Sequence, residues 1–156
     1  MTKTILLAVD CTSYTAAAAE MAGDLASGLG DRVVVLHVHE FAVGRFGRVQ
    51  VDCPEGDGER VAQEIADRLR AAGIDATVDV RRTYIGHIAK EIMTAAGELD
   101  VQMIILGSTG THDLPRLPFG SVSLRLLHLS DKPVLIVPRP ASADRVGATL
   151  AAAAAK

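Results

Sequence analysis

Short apolar runs alternate with helix-patterned stretches along most of this chain. Five runs have the length and composition of strands: Thr4–Val9, Val33–Val38, Ile74–Arg81, Met103–Leu106 and Pro133–Pro138. Four stretches between them repeat apolar residues at helical spacing: Ala16–Leu29, Glu59–Gly73, Ile85–Leu99 and Ser121–Leu129. The resulting order, βαβαβαβαβ, requires right-handed crossovers. It predicts an α/β fold with a five-stranded parallel sheet that has helices on both faces.

All of these elements lie within residues 1–140. We predict that this segment forms a single domain, because the 156 residues of the chain are enough for one buried core. Apolar periodicity is lost over residues 41–58, which contain several glycines and a proline, so we expect a long loop there. Residues 141–156 are rich in alanine, and an isolated helix of that length is marginal in water, so we expect a flexible tail.

Composition and charge argue against several functional classes. With a net charge of −3 and 3% aromatic residues, the chain has neither the basic surface nor the stacking platform typical of nucleic-acid-binding proteins. No apolar run reaches the length of a membrane span, and the first residues lack the features of a signal peptide. Cys11 and Cys53 match no metal, redox or disulfide pattern, so we expect free thiols. These observations predict a cytoplasmic protein that binds neither nucleic acid nor membranes.

The loop after the fourth strand is the segment best suited to bind an anion. Gly107, Gly110 and Gly120 follow an apolar run, and Ser121 begins the next helix. Glycine lets the backbone approach a ligand closely, and a helix N-terminus presents unpaired N–H groups and partial positive charge. The hydroxyls of Ser121 and Ser123 can donate further hydrogen bonds. Glycines also serve turns and helix ends, but the whole spaced set favours a phosphate site.

Two other phosphate-binding loops do not fit. A P-loop places Gly-Lys-Ser/Thr after the first strand, whereas none of the lysines in this chain follows a glycine. A dinucleotide-binding loop needs spaced glycines after the first strand, and residues 11–15 contain none. Asp10 ends the first strand, and ligands of parallel sheets bind at the carboxyl edge. We therefore predict that Asp10 meets the glycine loop there, although it can also cap the first helix.

The spacing of these glycines resembles the nucleotide signature of the universal stress protein family, G-x2-G-x9-G-[ST], at every fixed position. Other segments are also similar to that family, so that the resemblance extends over residues 2–138: Ile5–Asp10, Val33–Val38, Gly86–Ile92, Gly120–Arg125 and Lys132–Val137. One position departs from it. Gln102 stands where the family commonly has an aspartate, with Asp100 two residues earlier, so the turn before the fourth strand is not predicted from the resemblance.

The resemblance implies an adenine-nucleotide α-hydrolase-like fold with the strand order 3-2-1-4-5. It also implies that ATP, or ADP or AMP, binds at the carboxyl edge of the sheet together with Mg²⁺. Asp10 corresponds to the aspartate that contacts the ribose, and Val38 to the residue whose backbone meets adenine. The phosphate contacts correspond to Gly107, Gly110, Gly120 and Ser121.

Further candidates for phosphate contacts are Ser123, Thr12 and Arg116, since hydroxyl donors and the guanidinium fork both suit phosphate oxygens. Members of the family often dimerise through the last strand, and the resemblance implies a homodimer formed through Val134–Val137.

We therefore expect a stress protein that binds ATP and acts as a nucleotide-dependent regulator or partner-binding module. One alternative is a slow Mg²⁺-dependent ATPase, although no spacing identifies a catalytic residue and none is assigned. Another is an adaptor dimer whose nucleotide site is vestigial. His37 and His39 face the same side of their strand, but two histidines without a third ligand do not predict a metal site.

Overall fold

The computed structural model of the chain describes residues 1–108 and 121–138. These ranges contain six strands: β1 (Thr4–Val9), β2 (Arg32–Gly44), β3 (Gly47–Gln50), β4 (Ala76–Tyr84), β5 (Met103–Gly107) and β6 (Val134–Val137). They also contain four helices: α1 (Thr15–Leu29), α2 (Asp57–Ala71), α3 (Ile88–Glu98) and α4 (Ser121–Leu129). The predicted alanine-rich tail, residues 141–156, lies outside the described residues and stays a prediction.

Five of the strands are parallel and lie in the order β4-β2-β1-β5-β6. Counted along the predicted elements, this is the order 3-2-1-4-5, so the α/β fold class is confirmed. At the centre, Ile5 of β1 pairs with Val33 on one side and with Met103 on the other. The sheet differs in detail from the prediction because β3 adds an antiparallel strand, which makes the sheet mixed.

The prediction of a long loop over residues 41–58 is wrong. The strand β2 continues to Gly44 and forms a hairpin with β3, in which Ala42 pairs with Val49. This pairing is available because β1 ends at Val9, opposite His37, so the β1 side of β2 is free beyond that point. Several apolar side chains of the hairpin are exposed. Because neither face of the hairpin is fully buried, its sequence has no need for the alternation of apolar and polar residues that marks a half-buried strand.

Residues of β1 and β2 are buried on both faces of the sheet, as expected of central parallel strands. On one face, Leu7 and Val35 pack with residues of α1 and α2. On the other, Leu6 and Val34 pack with residues of α3 and α4. Beyond Ala76, the residues of β4 are exposed or only partly buried, which fits a strand at the edge of the sheet. In the described ranges, no helix is both long and apolar enough to cross a bilayer.

The turn before β5 lies at the amino edge of the sheet, where Gln102 replaces the expected aspartate. Its side-chain amide donates a hydrogen bond to Asp31, which also accepts one from the backbone N–H of Lys3 at 2.9 Å. The backbone N–H of Gln102 bonds to the carbonyl of Thr4 at 2.9 Å. Asp100 adopts a left-handed conformation with a φ of 45°. Glutamine therefore connects this turn to β1 and to the start of β2.

Candidate functional site

A cavity of about 290 Å³ lies at the carboxyl ends of β1 and β5, beside the middle of β2. Its walls include six of the residues singled out from the sequence: Asp10, Thr12, Val38, Gly107, Ser121 and Ser123. They come together because parallel strands place their carboxyl ends at the same edge. The other three predicted residues, Gly110, Arg116 and Gly120, lie outside the described residues. The described candidates thus border one space, although they are up to 113 positions apart in the chain.

The carboxylate of Asp10 is held in place by the chain that follows it. Its Oδ1 accepts hydrogen bonds from the Thr12 N–H at 2.9 Å, the Thr12 hydroxyl at 2.6 Å and the Thr15 hydroxyl at 3.0 Å. Within the described part of the chain, Oδ2 has no hydrogen-bond partner. Asp10 therefore organises the entry to α1 and keeps one oxygen to accept hydrogen bonds from a ligand. Thr12 would have to break its bonds to Asp10 before it could donate to a phosphate.

Gly107 ends β5 where the backbone of Tyr14 passes close by. A Cβ atom at Gly107 would lie 2.5 Å from the carbonyl oxygen of Tyr14 and 3.0 Å from its carbonyl carbon. Backbone atoms cannot move aside as a flexible side chain does, so only glycine fits without a shift of one element. The first glycine of the signature thus has a packing role, which brings the start of α1 against the end of β5.

Ser121 and Ser123 occupy the first turn of α4, and both line the cavity. Ser121 is exposed, whereas Ser123 is buried. The first N–H groups of a helix have no partner within the helix and carry partial positive charge. This end of the cavity is therefore equipped with backbone and hydroxyl donors.

The wall around Val38 is apolar. Leu36, Ile92 and Leu106 line the cavity beside it. Val38 is also the first residue of β2 beyond the last pair with β1, which joins Val9 to His37. The edge of β2 that faces β1 therefore meets the cavity at Val38. The cavity combines an apolar wall with backbone polar groups on one side and a carboxylate with hydroxyl donors on the other.

The prediction of free thiols is wrong, because Cys11 and Cys53 form a disulfide. Cys11 follows β1, and Cys53 lies on the segment that returns from the β2–β3 hairpin to α2. Both residues line the cavity. A separation of 42 residues matches no short motif, and the pairing requires the hairpin that the sequence did not reveal. The expected cytoplasmic location therefore no longer has the support of free thiols.

A second group that the sequence did not reveal lies beside this disulfide. His37 and His39 extend from β2, and Asp52, next to Cys53, contacts both rings. Glu59 of α2 contacts the far side of His39, with Oε1 2.6 Å from Nε2. Desolvation raises the pKa of Glu59, but hydrogen bonds from its own backbone N–H and from His39 outweigh this, so the pKa lies below its ordinary value. The sequence analysis identified no third ligand for the two histidines, and the structure places Asp52 beside both of them.

Comparison with known sequences gives one family. A sequence model of the universal stress protein family matches residues 1–138 of the chain. Universal stress protein YxiE of Bacillus subtilis is 30% identical over 143 residues, which cover 85% of this chain and 97% of YxiE. The stress response protein NhaX of Bacillus subtilis is 37% identical over 79 residues, which cover 51% of this chain and 46% of NhaX.

Solved structures share the fold at low sequence identity. A universal stress protein from Archaeoglobus fulgidus has a TM-score of 0.70 at 19% identity and covers 88% of this chain and 99% of its own. A universal stress protein in complex with cAMP has a TM-score of 0.66 at 19% identity. The match covers 89% of this chain and 98% of the cAMP-bound chain. A universal stress protein from Archaeoglobus fulgidus in complex with dAMP has a TM-score of 0.62 at 16% identity. The match covers 88% of this chain and 98% of the dAMP-bound chain.

Proposed function

Because the chain belongs to the universal stress protein family, we propose that it binds an adenine nucleotide, with ATP as the expected ligand, in the cavity at the carboxyl edge of the sheet. The observation that carries this proposal is the convergence of the described candidate residues on that one cavity. The complexes of two structural neighbours with cAMP and dAMP support the same class of ligand.

Each part of the cavity suits one part of the nucleotide. The backbone of Val38 and the apolar wall around it suit the edge and face of adenine. The fixed carboxylate of Asp10 can accept hydrogen bonds from ribose hydroxyls, for which its Oδ2 is available in the described part of the chain. The N-terminal turn of α4, with Ser121, suits phosphate oxygens. Gly110 and Gly120 complete the phosphate contacts in this proposal, and Mg²⁺ accompanies the phosphates.

Isothermal titration calorimetry of the purified chain with ATP and Mg²⁺ tests this directly. We expect saturable binding of one nucleotide per chain. Asp10→Asn should weaken it about tenfold or more, since a hydrogen bond to a charged group contributes roughly 1.5–3 kcal/mol. Asp24→Asn is the matched control, because Asp24 is exposed on α1 and does not line the cavity. Absence of binding at millimolar ATP, or equal affinity in both variants, would contradict the proposal.

The regulatory part of the proposal concerns β6. In the described part of the chain, β6 is the outermost strand on its side of the sheet and pairs only with β5. An edge strand presents unpaired backbone groups, so Val134–Val137 can pair with a second copy. The residue after Gly107, Ser108, donates its backbone N–H to the carbonyl of Val137 at 2.8 Å. A nucleotide held at the loop after β5 would therefore lie at the end of the pairing between β5 and β6, and its occupancy can bias the dimer or the choice of partner in a stress response.

A further inference from the structure

We propose that His37, His39 and Asp52 form a binding site for a divalent transition-metal ion, and that Zn²⁺ is the ion that fits it. One ligand atom of each residue lies within 4.8 Å of the other two. Oδ2 of Asp52 is 3.2 Å from Nε2 of His37 and 3.2 Å from Nδ1 of His39. Ligands at about 2.0–2.1 Å from a tetrahedral zinc ion lie roughly 3.3 Å from one another. The spacing therefore suits a shared ion.

The protonation of His37 leaves a lone pair directed into this site. Its Nδ1 lies 3.0 Å from the carbonyl oxygen of Val9. A carbonyl oxygen only accepts hydrogen bonds, so Nδ1 carries the proton. The other nitrogen, Nε2, is buried and has no hydrogen-bond partner in the described part of the chain, although Asp52 is within 3.2 Å. A metal ion would use this lone pair, and the backbone carbonyl would orient the ring, as is usual for metal-binding histidines.

His39 is arranged in the same way, with a carboxylate behind it. Its Nε2 lies 2.6 Å from Glu59 Oε1, and its Nδ1 faces Asp52. With Nε2 donating to Glu59, Nδ1 has a lone pair for the ion, which gives the carboxylate–histidine–metal arrangement. Asp52 is also oriented, since its Oδ1 accepts the backbone N–H of Glu40 at 3.1 Å. All three ligands thus have a second hydrogen bond that fixes their direction.

The first turn of α2 packs closely against the His37 ring at Gly58, where there is no room for a side chain. A Cβ atom at this position would lie 2.0 Å from Nε2 of His37. Hydrogen bonds alone explain the cluster less well, because Asp52 and Glu59 can satisfy His39 while Nε2 of His37 stays unpaired. Two imidazoles and one carboxylate are the ligand types of zinc sites, and three protein ligands leave a fourth position open. The cluster borders the nucleotide cavity through His37 and Asp52, but its ligands are distinct from the proposed nucleotide contacts.

The test uses the full chain with the disulfide intact, confirmed by the absence of titratable thiols, so that cysteine cannot act as a ligand. After treatment with a chelator, we titrate the protein with ZnCl2 alone in competition with a chromophoric chelator and measure bound zinc by mass spectrometry. We expect one Zn²⁺ per chain. Asp52→Asn should weaken binding at least tenfold while keeping the hydrogen bond to Glu40. Glu59→Gln, which changes a positioning residue, should weaken it about 10–100-fold.

His128→Gln is the matched control and should bind Zn²⁺ as the unaltered chain does, because His128 is exposed on α4. Gly58→Ala removes no ligand but places a methyl group against Nε2 of His37, and we expect it to abolish high-affinity binding. Thermal unfolding of each zinc-free variant shows whether it is folded. If the folded Asp52→Asn and Gly58→Ala variants bind Zn²⁺ as tightly as the unaltered chain, the proposal is wrong.

A measurement on the unaltered chain does not depend on the folding of any variant. Nitrogen NMR of the imidazoles should show that Zn²⁺ shifts Nε2 of His37 and Nδ1 of His39. The ring nitrogens of His87 and His128 should not move. Shifts confined to other histidines, or no shift at one equivalent of Zn²⁺, would overturn the assignment. Because ATP is absent from this experiment, its result is independent of nucleotide binding.

Discussion

The disulfide between Cys11 and Cys53 ties the loop after β1 to the segment that returns from the β2–β3 hairpin. Their Cα atoms are 6.1 Å apart, and both residues line the cavity proposed to bind nucleotide. Asp10 directly precedes Cys11, and Asp52 directly precedes Cys53. The bond therefore holds together a residue of the proposed nucleotide site and a residue of the proposed metal site.

Reduction of this disulfide should destabilise the protein. A cross-link across 42 residues lowers the entropy of the unfolded chain by an amount equivalent to about 4 kcal/mol at 25 °C in the chain-entropy relation. We expect a loss of about 2–4 kcal/mol in the free energy of unfolding, measured by urea denaturation with and without reductant. The Cys11→Ala/Cys53→Ala variant should be insensitive to reductant. Equal stability of the unaltered chain in both conditions would show that the bond contributes nothing.

Gly107→Ala should destabilise the fold, because its Cβ atom would lie 2.5 Å from the carbonyl oxygen of Tyr14. Overpacking of this kind costs about 1–3 kcal/mol. Gly97→Ala is the matched control: Gly97 lies in α3, and a Cβ atom there has no neighbour within 4 Å. That change should be neutral or stabilise the protein by up to about 1 kcal/mol, since alanine is the better helix former. Denaturation midpoints of the two variants decide the point, and a Gly107→Ala variant as stable as Gly97→Ala would refute the packing role.

Thr15→Val should weaken both the fold and the proposed binding of nucleotide. The buried Thr15 hydroxyl donates to Oδ1 of Asp10 at 3.0 Å and lies 3.2 Å from its carbonyl oxygen. Its loss should cost about 1 kcal/mol of stability and loosen the carboxylate that is proposed to bind ribose. In the control, Thr94→Val removes a hydroxyl that donates to the Lys90 carbonyl on an exposed face of α3. Calorimetry with ATP should show weaker binding in Thr15→Val alone; unchanged affinity would mean that Thr15 does not position Asp10.

Leu135→Lys should shift the proposed dimer toward monomer. Leu135 lies in the middle of β6 and is 36% exposed. A lysine on each copy would bring like charges together at a strand-to-strand contact, which opposes edge pairing. Val43→Lys is the control, because Val43 is exposed on the hairpin, away from β6. Light scattering after size-exclusion chromatography, with and without ATP, measures the mass. A dimer that persists in Leu135→Lys and dissociates in Val43→Lys would place the interface at the hairpin instead.

Local sequence patterns were enough to predict the parallel core. The runs that became β1 and β2 are continuous and apolar because both of their faces are buried, and α2 alternates polar and apolar residues because one side faces solvent. That Asp10, Gly107 and Ser121 line the same cavity also follows from the sequence, since parallel strands align their carboxyl ends. The contacts proposed for Gly110, Arg116 and Gly120 remain predictions from the glycine spacing and the family resemblance.

The sequence by itself determined the order of the five parallel strands and the four helices along the chain, and the edge of the sheet at which the candidate nucleotide site lies. Only the tertiary structure decided that Cys11 pairs with Cys53 and that Asp52 meets His37 and His39. The physical reason is the hairpin: its apolar residues are exposed, so no burial pattern marks its strands, and its position depends on the edge of β2 that β1 leaves free beyond Val9. Asp52 and Cys53 lie on the segment between β3 and α2, so their contacts depend on the pairing of β2 with β3. Local periodicity does not encode that pairing.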